Sequence, residues 1–296
     1  MDFTIYWFMF PVAMCVATTA MLSGIGGAAL FTPIFLIIFP ILGPEYPLES
    51  AVAAVGSALL TETFGFSSGF IGYYRKGLID FKSAIPFIVV GVPIGIIGAL
   101  MAQFVDPDII KTGYALMMLF IAYEMFTHRK PASVKTEAGE STENTQNDRP
   151  LREIRARDGT VYTYRTPKQG LGAIITSIGA FLTGLLSVGI GEVVMPQLSK
   201  RNGVPIPVAA ATSVFVVIIV VAAASFTHIS ALIAGGGMSA VPWDLVMYTI
   251  PAVIIGGQIG PRLQGKIPQR TMEISIGVLF FVIAVSMAWI VVRNYI

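Results

Sequence analysis

Two acidic residues stand where acids are expensive. Glu62 lies near the middle of an apolar run over 48–74, and Glu192 follows directly on Gly189-Ile190-Gly191. A carboxylate at the centre of a bilayer costs at least roughly 2.5 kcal/mol and is a functional candidate by default. Glu62 could be protonated and carry a coupling proton; equally, a neutral Glu62 could bond Thr61, Thr63 or the backbone. Glu192 falls at a helix start, where the dipole stabilises negative charge. It could gate an anion, which it would repel unless protonated, or simply cap the helix. Ser57, Thr61, Thr212 and Ser213 offer hydroxyl donors, and Ser57 and Thr61 share one helix face. Such donors suit oxyanion oxygens, although membrane hydroxyls also bond their own helix backbone. Gln258, inside Gly256-Gly257-Gln258-Ile259-Gly260, is a further candidate donor. Arg262, one turn later, could draw anions to a pore mouth or mark the membrane interface.

These groups need a frame, and the glycines supply one twice. Gly24-Ile25-Gly26-Gly27 followed by Pro33 matches Ser187-Val188-Gly189-Ile190-Gly191 followed by Pro196. Ala53-Ala54-Val55-Gly56-Ser57 matches Ala209-Ala210-Ala211-Thr212-Ser213, and Pro86, Gly91 and Gly95 match Pro251, Gly256 and Gly260 at the same spacing. Three matches in one order argue for duplication, and Gly-interrupted segments at corresponding places point to a binding site of the transporter kind. Gly24, Gly26, Gly27, Ser187, Gly189 and Gly191 would form sharp turns. A helix beginning just after such a turn presents unpaired N–H groups and a positive dipole end. Two tips meeting at mid-membrane could hold an anion without a buried Lys or Arg. The alternative is that these glycines let helices pack closely.

Composition places the frame in lipid. The chain has 296 residues, 55% hydrophobic and only 12% charged, about half the charged share of a soluble domain. Eight apolar runs appear, over 3–42, 48–74, 81–104, 109–126, 170–198, 206–228, 243–263 and 272–292. About 20 residues suffice for one crossing, so the first is too long for one helix. The expected fold is an all-α polytopic membrane protein. Two inverted repeats, 1–128 and 170–296, each hold a Gly-broken helical hairpin and three transmembrane helices. The segment 129–169 lies between them, as a polar linker over 135–147 and then 155–165. There Asp158-Gly159 flanked by Ile154, Val161, Tyr162 and Tyr164 suggests a small β-hairpin, with an irregular charged loop as the alternative.

Hairpins at the first and fifth runs put Arg75, Lys76, Lys82, Lys200, Arg201, Arg262, Lys266 and Arg270 on one side of the membrane. Lys111 and Arg293 fall on the other. Simple crossings reverse that bias, so the positive-inside rule favours the hairpins. Both termini then face outward and 129–169 is cytoplasmic.

Several classes are excluded. The single cysteine, Cys15, permits no intrachain disulfide or Cys-rich metal site, and His128 and His228 show no metal-ligand spacing. No P-loop, Ser/His/Asp set or zinc cluster appears, and no strand–helix context makes the first glycines a dinucleotide fingerprint. No cofactor, no metal, no nucleic acid partner and no enzyme activity are expected.

Leu22-Ser23-Gly24-Ile25-Gly26-Gly27 with Pro33 resembles the sulfite exporter TauE/SafE family. So do Ala53, Val55, Gly56 and Ser57, the copy over 186–196, and the stretches 205–213 and 250–260. Ala28 stands where the family pattern often has a third glycine. The resemblance covers nearly all the apolar part and leaves 129–168 unmatched. It implies a bacterial inner-membrane secondary transporter for sulfite, sulfoacetate, taurine-like or related sulfur anions. Partners would be that anion, the lipid bilayer and, as a candidate coupling ion, the proton. A passive anion channel, or a non-transporting scaffold or sensor, is the alternative.

Overall fold

Glycine and proline divide the apolar runs into helices. The computed structural model describes residues 5–23, 26–46, 48, 50–127, 150–167, 170–263 and 269–295. Gly24 and the expected linker over 135–147 lie outside the described residues. The first run forms α1 (Met9–Ser23) and α2 (Ala28–Pro33), which continues through a π-helical stretch, Ile34–Ile38, into α3 (Phe39–Leu42). The overlong run is therefore two arms. The fifth run does the same: α7 (Gly170–Leu186) is followed by α8 (Ile190–Pro196) and a second π-helical stretch, Gln197–Arg201. Both π stretches begin directly after a proline, Pro33 and Pro196, the pair matched in sequence. Proline gives no N–H to the ladder and crowds the carbonyl four residues back, so the helix is distorted there.

The remaining helices are α4 (Ala51–Lys76), α5 (Phe81–Met101), α6 (Pro107–Thr127), α9 (Ile206–Gly236), α10 (Trp243–Leu263) and α11 (Gln269–Tyr295). Helix α4 opens on Ser50, whose hydroxyl accepts the Ala53 N–H at 3.0 Å. It closes on Gly77 at φ +69°, with Arg75 and Lys76 in the last turn, as a helix C-terminus favours. Helices α5, α6 and α9 are long and apolar enough to cross a membrane. The stretches Met9–Met21, Ala28–Leu42, Gly170–Leu186 and Ile274–Trp289 are apolar and shorter. Helix α9 outruns the apolar run 206–228, continuing to Gly236 and stopping at Gly237, φ +72°. Its end is set by a residue that can turn the chain, not by where apolar character fades.

Helix α1 packs on α10, α5 on α7, α4 on α9 and α6 on α11, with α4 also on α10 and α5 on α9. Small residues make these approaches close. A Cβ on Gly184 would lie 2.0 Å from Gly95 O, and one on Gly256 would lie 2.4 Å from Met14 O. The glycines of α5 and α10 matched in sequence are thus contact points between helices. Outward faces carry exposed Val89, Leu116, Phe226, Met247 and Trp289, a surface that suits lipid rather than water.

The polar insertion contains the β-hairpin, β1 (Leu151–Arg155) and β2 (Val161–Arg165), antiparallel with Arg155 opposite Val161. The first strand begins ahead of the expected segment. Gly159 takes φ +87° in the loop, where the Ala156 N–H donates to Thr160 O at 2.9 Å.

Candidate functional site

The two helix breaks meet. Glu192, in the first turn of α8, accepts the Gly189 N–H on Oε2 at 2.9 Å and the Gly26 N–H on Oε1 at 3.2 Å. The first bond lies within its own break; the second reaches a residue 166 positions away. Next to them Thr32 Oγ1 and Ser187 Oγ lie 2.5 Å apart, again joining the two breaks. Ser187 has φ +65° and Gly189 φ +143°, and a Cβ on Gly189 would lie 2.5 Å from Gly179 O. Glycine at 189 is therefore required both by conformation and by space. Gly191 is buried in the first turn of α8.

Glu62 of α4 arrives at the same place. It is 3% exposed, and its carboxyl group faces the backbone N–H groups of Gly27 and Ala28. Its Oε1 has no hydrogen-bond partner. A Cβ on Gly26 would lie 3.0 Å from Glu62 Oε1 and 3.4 Å from Glu192 Oε1, so both carboxylates converge on one glycine. Thr63 Oγ1 bonds Leu59 O and Thr61 Oγ1 bonds Thr249 Oγ1 at 2.9 Å, so neither threonine serves Glu62. Beside it lies a space of about 10 Å³ edged by Met21, Gly27, Phe31, Phe66 and Val253, room for about one water. The larger groove, about 350 Å³ between α6 and α7, is lined by residues such as Ile109, Leu116, Met117 and Leu185. Those side chains offer nothing to hold an anion.

The hydroxyl candidates divide. Ser57 Oγ and Ser213 Oγ, matched between the halves, are both buried without a hydrogen-bond partner. Thr61 is paired across α4 and α10, and Thr212 Oγ1 accepts the Asp80 N–H at 3.0 Å. Gln258 Nε2 donates to Ser68 O at 2.5 Å and to Ser68 Oγ at 3.0 Å, a bond between α10 and α4. Arg262 is exposed in the last turn of α10. The structure thus brings together Gly26, Gly27, Glu62, Ser187, Gly189 and Glu192, while Gln258 and Thr212 have partners in the helix framework.

Other participants were not evident from sequence. Thr183 Oγ1 accepts the Ile190 N–H at 2.7 Å, and the Tyr114 hydroxyl of α6 donates to Ala29 O at 2.5 Å. Outside the membrane helices, Asp80 caps α5 by accepting from Ser83 N–H at 3.1 Å. It also accepts from Arg152 Nη1 at 2.8 and 2.9 Å and from the Tyr164 hydroxyl at 2.6 Å, fastening the β-hairpin to α5. Burial pushes the Asp80 carboxyl up. The bonds from Ser83, Tyr164 and Arg152 outweigh that and hold it below its usual range. Burial and the bond to Asp80 push the Tyr164 phenol well up. An Asp directly before an apolar run is a helix-start signal; its Arg and Tyr partners are 72 and 84 residues away, beyond any local pattern.

Comparison with known proteins places the chain in a family. The family model described as sulfite exporter TauE/SafE matches residues 9–287. The chain is similar to the "Probable membrane transporter protein YunE" of Bacillus subtilis (strain 168), 22% identical over 278 residues, spanning 94% of this chain and 95% of the relative. No solved structure matches. The chain belongs to the TauE/SafE family of membrane transporters.

Proposed function

We propose that this TauE/SafE family transporter is a secondary carrier of a small sulfur-containing anion, sulfite or an organosulfonate such as sulfoacetate, isethionate or taurine. The anion binds where the two helix breaks meet, and the halves rock to expose it to each side in turn. The observation that carries this reading is the convergence of Gly26 N–H and Gly189 N–H on one half-buried carboxylate, that of Glu192. Backbone amides placed to hold a carboxylate are also placed to hold a sulfonate or sulfite oxygen. Ser57 and Ser213 bring spare hydroxyls to the same inventory.

The helix pairings support a two-fold arrangement of repeats. Exchanging α1 with α7, α4 with α9, α5 with α10 and α6 with α11 maps the pairs α1–α10 and α5–α7 onto each other. It does the same for α4–α10 and α5–α9. Charge bias in the loops supports an inverted relation, with both termini outside and the β-hairpin in the cytoplasm of a bacterial inner-membrane protein. The space beside Glu62 is too small for an oxyanion, and Glu192 takes the Gly26 and Gly189 amides, so binding requires the breaks to part. Glu62, buried with one oxygen unpartnered, carries a coupling proton.

The test is a ligand-stabilisation screen of the purified protein with sulfite, sulfate, thiosulfate, taurine, isethionate and sulfoacetate, followed by flux in proteoliposomes. Stabilisation by at least one of them, with saturable flux of the same solute, is expected. Conductance far above carrier turnover would instead make it a channel.

A further inference from the structure

We infer that the Glu192 carboxylate is the resident anion of the closed tips: it occupies the Gly26 and Gly189 amides and must leave them before a transported anion can bind. This rests on the reading of the tips as the transport site, and adds what fills that site when no solute is present.

Capping accounts for half of the geometry. A Glu at the third helical position commonly reaches back to the backbone N–H at the helix start, which is the bond from Gly189. It does not account for the other oxygen, which takes the Gly26 N–H of the opposite break. One carboxylate thus spends one oxygen on each tip, the two-oxygen bridge that a sulfonate would make. A buried group points to the same spot independently. Glu62 Oε1, in a residue only 3% exposed, has no partner and lies 3.0 Å from where a Gly26 Cβ would stand. Two carboxylates facing one glycine repel each other when both are ionised. The contact is therefore held by charge-assisted bonds and opposed by like charge whenever Glu62 is ionised, which makes it one that can open. Exchange of Glu192 for a solute anion swaps one negative group for another on the same donors. The site consequently needs no lysine or arginine to balance the arriving charge.

The test reads closure of the tips directly. In a Cys15→Ser background, which removes the single cysteine, Thr32→Cys and Ser187→Cys are introduced together. Their oxygens now lie 2.5 Å apart. Oxidative crosslinking should be rapid in the solute-free protein. Adding Glu192→Gln exchanges a charged acceptor for a neutral one and should slow crosslinking by about tenfold. Glu192→Asp keeps the charge but lacks the reach, so it should slow crosslinking too, and it serves if the Gln variant does not purify as a monodisperse species. Sulfate and isethionate should slow crosslinking of the parent; sulfite is avoided because it cleaves disulfides. Equal rates in the parent and the Glu192 variants would overturn the inference. If the variants slow while no sulfur anion affects the parent, Glu192 keeps this role and the sulfur-anion reading fails.

Discussion

Asp80 and Glu62 are both buried acids, 4% and 3% exposed, yet they sit in opposite surroundings. Asp80 is surrounded by donors: Ser83 N–H and hydroxyl, Arg152 and the Tyr164 hydroxyl all bond its carboxylate. Glu62 faces two backbone amides and keeps one oxygen with no partner. A buried polar group with every bond made is a fastening; one with a bond missing is strained, and such groups collect at functional sites. The hairpin dock and the helix tips differ in that respect. The first should respond to mutation in stability, the second in binding.

The sharpest break of this contrast is at the tips themselves. Gly26→Leu should leave a folded protein that no longer binds or transports, because the atoms nearest a Cβ there belong to carboxylate side chains, which can give way. Gly189→Leu should fail to yield folded protein, since its Cβ would press on the Gly179 backbone at φ +143°. Thermal-shift and ligand-binding assays on both variants check this. Normal transport by Gly26→Leu would remove the tip site.

Next in size is Asp80→Ala. It strands Arg152 and Tyr164, and loss of such bonds from a partly buried pair costs about 2–3 kcal/mol. Melting temperature should fall and proteolysis at the hairpin should rise, with ligand affinity changed less than about twofold. The same dock should respond to acid. Because the Asp80 pKa is lowered in the folded protein, its stabilisation is present above the ordinary carboxylate value of 3.8 and is lost as pH falls through the depressed value. Limited proteolysis across pH 5 to about 2 should show hairpin release only at the acid end, and the Asp80→Ala variant should show no such transition.

Glu62→Gln should change stability little, because the amide has nearly the size and shape of the carboxyl group it replaces. It should flatten the pH dependence of uptake in proteoliposomes; unchanged pH dependence would discard the coupling role. The smallest effect distinguishes the hydroxyls. Ser57→Ala and Ser213→Ala remove groups that bond nothing, so stability should hold while affinity for the anion falls a few-fold. Thr212→Val, which loses the bond to Asp80 N–H, should cost about 1 kcal/mol of stability and leave affinity intact.

Much of the helix content was legible because its causes are local. The glycine breaks after Ser23 and at Ser187–Gly189, the arms they create, the 243–263 helix and the turn at Asp158-Gly159 follow from residue types within a few positions of each other. The limits of α9 and β1 were read less well, since apolar runs mark burial in lipid and say little about where hydrogen bonding ends. Among site residues, the glycine turns and Glu62 stood out by being chemically out of place. Tyr114, Thr183, Asp80 and Arg152 did not, because each is unremarkable in its own neighbourhood.

Sequence by itself determined that the chain is apolar enough for a membrane, that it is broken twice at matched glycines, that one acid follows a break and that another stands in the middle of an apolar run. Only the tertiary structure decided that one carboxylate spans both breaks, and that Ser57 and Ser213 keep free hydroxyls while Thr61 and Thr212 do not. The reason is physical: a turn or a cap is fixed by torsions of neighbouring residues, whereas a hydrogen bond across 166 positions exists only once helix packing has brought its two ends to the same point.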